Sequence, residues 1–440
     1  MSERAFGNSI QRLKVAPRGL SAERPPAWTS PVRAGGRPAV GAQHAVPLPG
    51  AISNRQLEVA VPDEAAPYGD VYRFFGRDVS LRSDVPEILT LFKTIYRRFW
   101  VGHSAGAEAP FYMIAGDRPF GQPAVVADGR LHLIDAPELL IGYAYTCILN
   151  AILAQVDTHF VIHGGALSVD GRGILLPANS GLGKTTLVLA LVKRGCQFLS
   201  DELIAIRRGS RCLDPFPKSL GVRHESLPLI GDLDLSDQTR LPLAGGLAKW
   251  MVDIEHVRRG SVGGPCPGKY LLVLTTSPEE DRPDSEGVLY LVLDKVNEAL
   301  LADLRAIVGV RSLLLRTGRA FPILRFDLEG KAFVLPEIED TCDRHQALVL
   351  DTLLGEEKRP DFQVAPQLIP IRKSEAAMAL LRRFRGGYRS MLLQQGQGSV
   401  LRLFLELLDV VKDMKCYYLV VGRLGEMVDL ICDLVGQEAR

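Results

Sequence analysis

The sequence lacks the features of several large classes of protein. Its 52 basic and 51 acidic side chains leave a net charge of only +1 at pH 7. Nucleic-acid-binding domains usually carry a clear basic excess, so this balance predicts no nucleic-acid partner. The seven cysteines are scattered singly, without a Cys-x-x-Cys pair. This spacing argues against a zinc site or a disulfide framework, and it favours reduced thiols in a cytoplasmic protein.

Long hydrophobic runs are also missing. The most apolar helical stretch, residues 138–156, is interrupted by Asn150 and Gln155 and is too short to cross a bilayer. The N-terminal residues contain no apolar core of a secretory signal peptide. The histidines outside position 163 show no spacing typical of metal ligands, which argues against a metal site made only of protein ligands. We therefore expect a cytoplasmic protein without membrane contact.

What the sequence does contain is a phosphate-binding loop. It consists of Asn179, Ser180, Gly181, Leu182, Gly183, Lys184, Thr185 and Thr186. In such loops the backbone N–H groups and the following helix N-terminus surround a polyphosphate. Lys184 would contact the β- and γ-phosphates, and the Thr185 hydroxyl would bind Mg²⁺. The residues therefore predict a nucleotide site that uses ATP and Mg²⁺.

The surroundings of the loop fit this interpretation. Residues 173–177 form a short apolar run typical of a buried strand, and residues 186–193 predict a helix that Gly195 ends. The departure from the usual pattern is Ala178, which stands where the first glycine is expected. An alanine is tolerated there if its φ angle is negative. The sequence thus predicts a nucleotide site with one atypical residue.

Two acids and a histidine lie near the loop in sequence. Asp201 and Glu202 follow a strand candidate and begin 17 residues after Lys184, and His163 precedes Lys184 by 21 residues. The region from 160 to 206 resembles the HPr serine kinase/phosphorylase family and its HPr-kinase-related relatives. The residues that carry the resemblance are His163-Gly164, Gly171-x-Gly173, Ser180-Gly181-x-Gly183-Lys184-Thr185, Arg194-Gly195 and Asp201-Glu202. Glu202 departs from the family pattern, which has a second aspartate at this position.

The resemblance implies roles for these residues. Asp201 aligns with the first acid and is expected to be the catalytic base, while Glu202 would help Thr185 to hold the metal. His163 would orient or polarise Asp201, although a structural role is an equal alternative. Farther along, residues 215–223 contain a Pro-x-Pro-Lys segment in which Lys218 and Arg223 either point at the phosphate or have a structural role.

The expected fold class is α/β, with an HPr-kinase-like P-loop core and an N-terminal α+β subdomain. Residues 1–66 are rich in proline and arginine and predict a disordered tail. The α+β subdomain is assigned to residues 67–157, and the kinase-like domain to residues 158–440. The loop-rich stretch 225–270 is expected to be a lid or a contact in a homo-oligomer.

The predicted function is transfer of the γ-phosphoryl group of ATP to a hydroxyl, which the resemblance identifies as serine on a protein or peptide. Two alternatives remain open. Ala178 and Glu202 are compatible with a nucleotide-binding scaffold or regulatory protein that has no transferase activity. A small-molecule kinase is the other alternative, because the related phosphoenolpyruvate carboxykinases use a similar loop on non-protein substrates.

Overall fold

The computed structural model describes fifteen ranges of the chain. They are residues 61–103, 111–127, 129–134, 140–179, 181–231, 233–242, 248–278, 287–293, 295–316, 322–329, 331–345, 347, 349–354, 360–385 and 397–436. Most of the predicted disordered tail, residues 1–60, and the site residue Ser180 lie outside these ranges. No described helix is both long and apolar enough to span a membrane.

The first part of the described chain is a mixed sheet covered by helices. Its strands are β1 (Tyr68–Phe74), β2 (Arg77–Ser83), β3 (Trp100–His103), β4 (Phe111–Ile114), β5 (Ala124–Ala127) and β6 (Arg130–Leu133), and its helices are α1 (Pro86–Ile95) and α2 (Leu140–Ala154). The strand order is β3-β1-β2-β4-β5-β6, and only β2 and β4 pair in parallel. The apolar stripe that predicts α1 is buried in this core through Leu89, Phe92 and Ile95.

A nine-stranded sheet follows and carries the glycine-rich loop. Its elements in chain order are β7 (His159–Val169), β8 (Arg172–Pro177), α3 (Lys184–Lys193), β9 (Gln197–Ser200), β10 (Leu203–Arg207) and β11 (Cys212–Asp214). Strands β7 and β8 form an antiparallel hairpin, in which Asp170 and Gly171 have positive φ angles of 49° and 72°. These two residues form the hairpin turn. The strand and the helix around the loop agree with the sequence expectation.

The remaining elements of the chain complete this sheet and add two smaller ones. They are β12 (Leu220–Arg223), α4 (Leu227–Ile230), β13 (Thr239–Pro242), β14 (Ala248–Val252), α5 (Ile254–Val257), β15 (Cys266–Thr275), β16 (Gly287–Leu293), α6 (Glu298–Ala306), β17 (Val310–Arg316), β18 (Ile323–Leu328), α7 (Lys331–Arg344), β19 (Val349–Leu354), β20 (Gln367–Pro370), α8 (Lys373–Arg382), β21 (Phe384–Arg385), α9 (Gln397–Val411), β22 (Lys415–Val420) and α10 (Leu424–Gly436). Short 3₁₀ helices lie at Asp63–Ala65, Arg97–Phe99 and His224–Ser226.

The large sheet has the order β11-β10-β7-β8-β15-β22-β20, with β9 and β21 also paired to β7. Strands β8, β15 and β22 run parallel. Open sheets with parallel strands bind ligands at the carboxyl ends of those strands. The glycine-rich loop (residues 178–183) follows the carboxyl end of β8, so the topology places it where a ligand site is expected.

The chain between β15 and β20 forms an antiparallel sheet of its own, in the order β17-β18-β16-β19, with a separate hydrophobic core. The sequence pattern predicts one helix over residues 339–354, and this prediction is wrong. Helix α7 starts earlier and includes Pro336, whereas Val349–Leu354 is strand β19 and pairs with β16. A short apolar run such as Val349–Leu354 is compatible with either a strand or a helix. A proline such as Pro336 usually argues against a helix interior. The local sequence pattern therefore predicts the wrong position for the helix.

Candidate functional site

The glycine-rich loop turns sharply between β8 and α3. Gly181 and Gly183 have φ angles of 89° and 74°, a region that side chains rarely adopt. The two glycines are therefore required by the backbone path itself. Asn179 and Leu182 are half-buried beside them.

Ala178 fits the loop without strain. Its φ angle is outside the left-handed region, and its methyl group is fully buried in the core with Leu176 and Leu187. The missing first glycine therefore reflects a position that an alanine can fill, and the methyl group contributes to packing beneath the loop.

Lys184 is the first residue of α3 and is half-buried. Burial lowers the pKa of its ammonium group to about 8, and the nearby carboxylates of Asp201 and Glu202 oppose that shift. Thr186, two residues later, is buried against the sheet. Of the predicted loop residues, Lys184 is thus placed to carry a positive charge close to the two acids.

Thr185 and Asp201 lie next to each other. The Thr185 hydroxyl donates to Asp201 Oδ2 at 3.3 Å, and Asp201 is only 5% exposed. The other carboxylate oxygen, Oδ1, is buried; Lys218 Nζ lies 3.8 Å away, beyond hydrogen-bond distance, and no described residue donates a hydrogen bond to it. A buried carboxylate oxygen without a donor is unfavourable unless a further group completes its shell. Thr185 Oγ1 and Asp201 Oδ2, which are 3.3 Å apart, are suitably spaced to bind a hard cation such as Mg²⁺.

Glu202 has different partners. Its Oε2 atom lies 2.7 Å from Lys218 Nζ, and the Tyr145 hydroxyl donates to the same oxygen. Burial alone would raise the pKa of Glu202, but Lys218 and Tyr145 together lower it to about 2. The pKa of Lys218 is raised above its ordinary value, because Glu202 and Asp201 outweigh the effect of burial. Glu202 is thus an ionised, partly buried acid paired with a buried lysine.

His163 is held by its backbone. It lies opposite Leu203 in the register of β7 and β10, and its N–H donates to Arg383 O at 2.7 Å. The neighbouring Gly164 N–H donates to Glu202 O at 3.0 Å. These bonds place His163 beside the chain that carries both acids. Its role in orienting Asp201 stays a prediction.

Two contributors to the site have no signal in the local sequence. Tyr145 is on α2, 57 positions before Glu202 in the chain. Phe362 packs against the loop, where a Cβ atom added to Gly183 would lie 3.2 Å from its Cε1 atom. Lys218 and Arg223 are the two cations of the Pro-x-Pro-Lys segment, and the structure places Lys218 against Asp201 and Glu202. Arg223 lies exposed at the end of β12.

Comparison with known proteins supports the resemblance. The chain is 28% identical over 102 residues to HPr kinase/phosphorylase from Clostridium novyi, which is 23% of this chain and 33% of that protein. It is 30% identical over 112 residues to the putative HPr kinase/phosphorylase 2 of Oceanobacillus iheyensis, covering 23% and 37% of the two chains. It is 43% identical over 63 residues to the Lachnoclostridium phytofermentans HPr kinase/phosphorylase, covering 14% and 20%.

The chain therefore spans little more than a third of the length of these curated relatives at most. No protein-family profile matches it. Among solved structures, the HPr(Ser) kinase/phosphatase of Coxiella burnetii aligns with 42% of this chain and 95% of its own, at 17% identity and a TM-score of 0.18. A score this low supports no structural conclusion. The sequence similarities identify the chain as HPr-kinase-like, over about a quarter of its length or less.

Proposed function

We propose that this chain is an HPr-kinase-like phosphotransferase that moves the γ-phosphoryl group of Mg²⁺-ATP to a hydroxyl, serine being the expected one, on a protein or peptide. The observation that carries the proposal is the meeting of Lys184, Thr185 and Asp201 at the end of the glycine-rich loop. A lysine, a hydroxyl and an incompletely bonded carboxylate are the groups that phosphoryl transfer requires around a metal-bound nucleotide.

Each of these groups has one task in the proposal. Backbone N–H groups of the loop and the start of α3 would surround the phosphates, and Lys184 would neutralise charge on the transferring group. Thr185 and Asp201 would hold the metal. Bound Mg²⁺ would withdraw charge from the phosphate oxygens during transfer. The loop glycines would let the backbone approach the phosphates closely.

This division of labour differs from the one predicted by the resemblance, in which Asp201 is the base and Glu202 a metal ligand. The distances favour Asp201 for the metal, because Asp201 shares a hydrogen bond with Thr185 while Glu202 is bonded to Lys218 and Tyr145. Lys218 Nζ lies 2.7 Å from Glu202 Oε2 but 3.8 Å from Asp201 Oδ1, and the carboxylate that is more closely neutralised is the poorer candidate for a second cation.

The acceptor class comes from the relatives, whose name states that they are kinases of HPr. The proposal is tested by incubating the full chain with γ-labelled ATP, Mg²⁺ and a lysate of its own source cells. We expect a labelled protein whose phosphate is on serine, and no label with Lys184→Ala. Lys193→Ala, which changes an exposed lysine on the same helix, is the control.

Other outcomes separate the alternatives. Mg²⁺-ATP binding without transfer to any acceptor indicates a nucleotide-binding scaffold. Label that appears only in small molecules indicates a small-molecule kinase. If the wild-type chain does not bind Mg²⁺-ATP, the proposal is rejected.

A further inference from the structure

A second lysine lies at the acid pair, and its role is not covered by the nucleotide site. Lys218 is only 4% exposed, and its Nζ atom lies 2.7 Å from Glu202 Oε2 and 3.8 Å from Asp201 Oδ1. It also donates to Ser219 O at 3.2 Å. Burying a lysine is costly unless it is paired with an acid. The pairing is therefore what keeps Lys218 at this position.

The segment that carries Lys218 is held on both sides by the N-terminal part of the described chain. Before Lys218, the Phe216 ring packs against Phe99, with 4.7 Å between ring centroids. After it, Ser219 N donates to Ile95 O at 2.8 Å, and Ser219 Oγ donates to Thr94 O at 2.7 Å. Both anchors come from α1 and the short helix that follows it.

Tyr145 makes the third connection. It lies on α2, also in the N-terminal part, and its hydroxyl donates to Glu202. The Lys218 ammonium lies 5.7 Å from the centre of the Tyr145 ring. The Lys218 ammonium and the Tyr145 hydroxyl, which hold Glu202, are positioned by α1 and α2. Asp201 accepts a hydrogen bond from Thr185 in α3.

We propose that Lys218 is a positioning residue of the phosphoryl-transfer site, which holds Glu202 against Tyr145 and away from the Thr185–Asp201 pair. This role rests on the proposed function. Asp201 and Glu202 form the bend between β9 and β10, and their side chains have different hydrogen-bond partners, Thr185 for Asp201 and Tyr145 for Glu202. Helices α1 and α2 therefore keep Glu202 away from the metal ligands of the proposed site.

The test is a double-mutant cycle in the full chain. The variants are Lys218→Met, Glu202→Gln and the combination of both, with Lys193→Met as the control for an exposed lysine. Three quantities are measured: thermal unfolding without nucleotide, the Kd for Mg²⁺-ATP by calorimetry, and turnover of ATP. A cycle isolates the coupling between the two side chains, because effects of unrelated residues add.

We expect Lys218→Met to lower the melting temperature by roughly 5 °C or more, because it leaves the partly buried Glu202 carboxylate without its cation. The double variant should regain at least half of that loss. Turnover should fall about ten-fold in Lys218→Met, as expected for a displaced neighbouring group, and should recover in the double variant. The Kd for Mg²⁺-ATP should stay within about three-fold of wild type in the double variant, since neither side chain contacts the phosphates in the proposed site.

Additive losses in melting temperature would show that Lys218 does not act through Glu202 and would overturn the proposal. A double variant that folds but loses ATP affinity more than ten-fold would overturn it too, because Lys218 would then contact the nucleotide. If Lys218→Met does not fold, we still expect the double variant to fold. A double variant that also fails to fold would contradict the coupling between Lys218 and Glu202. Absence of Mg²⁺-ATP binding by the wild type would reject the proposed function, while the unfolding cycle would still report on the ion pair.

Discussion

On one side of the Asp201–Glu202 pair, the residues that face the glycine-rich loop come from one short stretch of chain. Lys184, Thr185 and Asp201 all lie between the end of β8 and the start of β10. On the other side, Glu202 is bonded to Tyr145, 57 positions earlier in the chain, and to Lys218, in the segment between β11 and β12 that α1 and the following short helix hold in place. We call Lys184, Thr185 and Asp201 the loop side, and Glu202, Tyr145 and Lys218 the clamp side. The loop side is a local sequence motif, whereas the clamp side is formed by tertiary contacts.

From this difference we expect mutations on the two sides to have different effects. A side chain of the loop side is expected to meet metal or phosphate, so its loss should change binding or transfer more than folding. A side chain of the clamp side is satisfied within the protein, so its loss should change folding more than binding.

The largest effect is expected for Asp201→Asn. The substitution keeps the shape and removes the charge beside Thr185, so phosphoryl transfer should fall by at least about 10²-fold, as when one electrostatic or proton-accepting group is lost. ATP binding and melting should change little by comparison. The measurement is single-turnover transfer from labelled ATP across a series of Mg²⁺ concentrations.

The magnesium series also separates two roles for this residue. Partial recovery at high Mg²⁺ indicates a metal ligand, since added metal offsets a weaker site. A loss that Mg²⁺ does not change indicates the catalytic base predicted from the family resemblance. Transfer at the wild-type rate would remove Asp201 from the site altogether.

The next effect concerns Lys184→Ala. Removing a charge-assisted contact of roughly 1.5–3 kcal/mol should weaken Mg²⁺-ATP binding by more than ten-fold. Calorimetric titration of wild type, Lys184→Ala and the control Lys193→Ala measures it. Equal affinity of all three proteins would place the nucleotide elsewhere, and the loop side would no longer be the binding side.

Much of the loop side could be predicted from the sequence, because its signals are local. Glycines at positions with positive φ, an apolar strand and a capped helix occur in consecutive residues, and the structure has the strand, the turn and the helix in that order. The φ angle of Ala178 also meets the condition under which an alanine is tolerated there. Local backbone rules were sufficient for these features.

The clamp side could not be predicted in the same way. Nothing in the residues around Tyr145 indicates that its hydroxyl reaches Glu202, because the contact exists only after α2 packs near the large sheet. The sequence left Lys218 open between a phosphate contact and a structural role for the same reason. The wrong helix at 339–354 has a similar cause, since pairing with β16 decides the conformation of Val349–Leu354.

A smaller effect is expected for Tyr145→Phe. The change removes one hydrogen-bond donor from the partly buried Glu202 carboxylate, which keeps its lysine, so we expect a loss of about 1 kcal/mol in unfolding free energy. Affinity for Mg²⁺-ATP should stay within about two-fold of wild type, since the hydroxyl does not belong to the loop side. Chemical denaturation and calorimetry give the two numbers. A fall in ATP affinity as large as that of Lys184→Ala would mean that the two sides are not separate.

The smallest effect is expected for Ala178→Gly, at the one loop position that departs from the usual pattern. The alanine has an ordinary φ angle and a fully buried methyl group, so its replacement removes packing and adds freedom to the unfolded chain. These two losses together should lower the unfolding free energy by about 1 kcal/mol. Affinity for Mg²⁺-ATP should change by less than about two-fold, because the glycine-requiring positions, Gly181 and Gly183, are untouched.

The opposite result would have a clear meaning for the contrast between the two sides. If glycine at position 178 strengthens ATP binding several-fold, the alanine methyl group obstructs the turn around the phosphates. The loop would then bind phosphate poorly and serve mainly in core packing. That outcome favours the nucleotide-binding scaffold over the kinase. Titrating both proteins with Mg²⁺-ATP after checking their melting distinguishes the cases, because a packing defect lowers stability without raising affinity. We expect lower stability and unchanged affinity, which leaves the loop side as a working phosphate site whose first residue also belongs to the core.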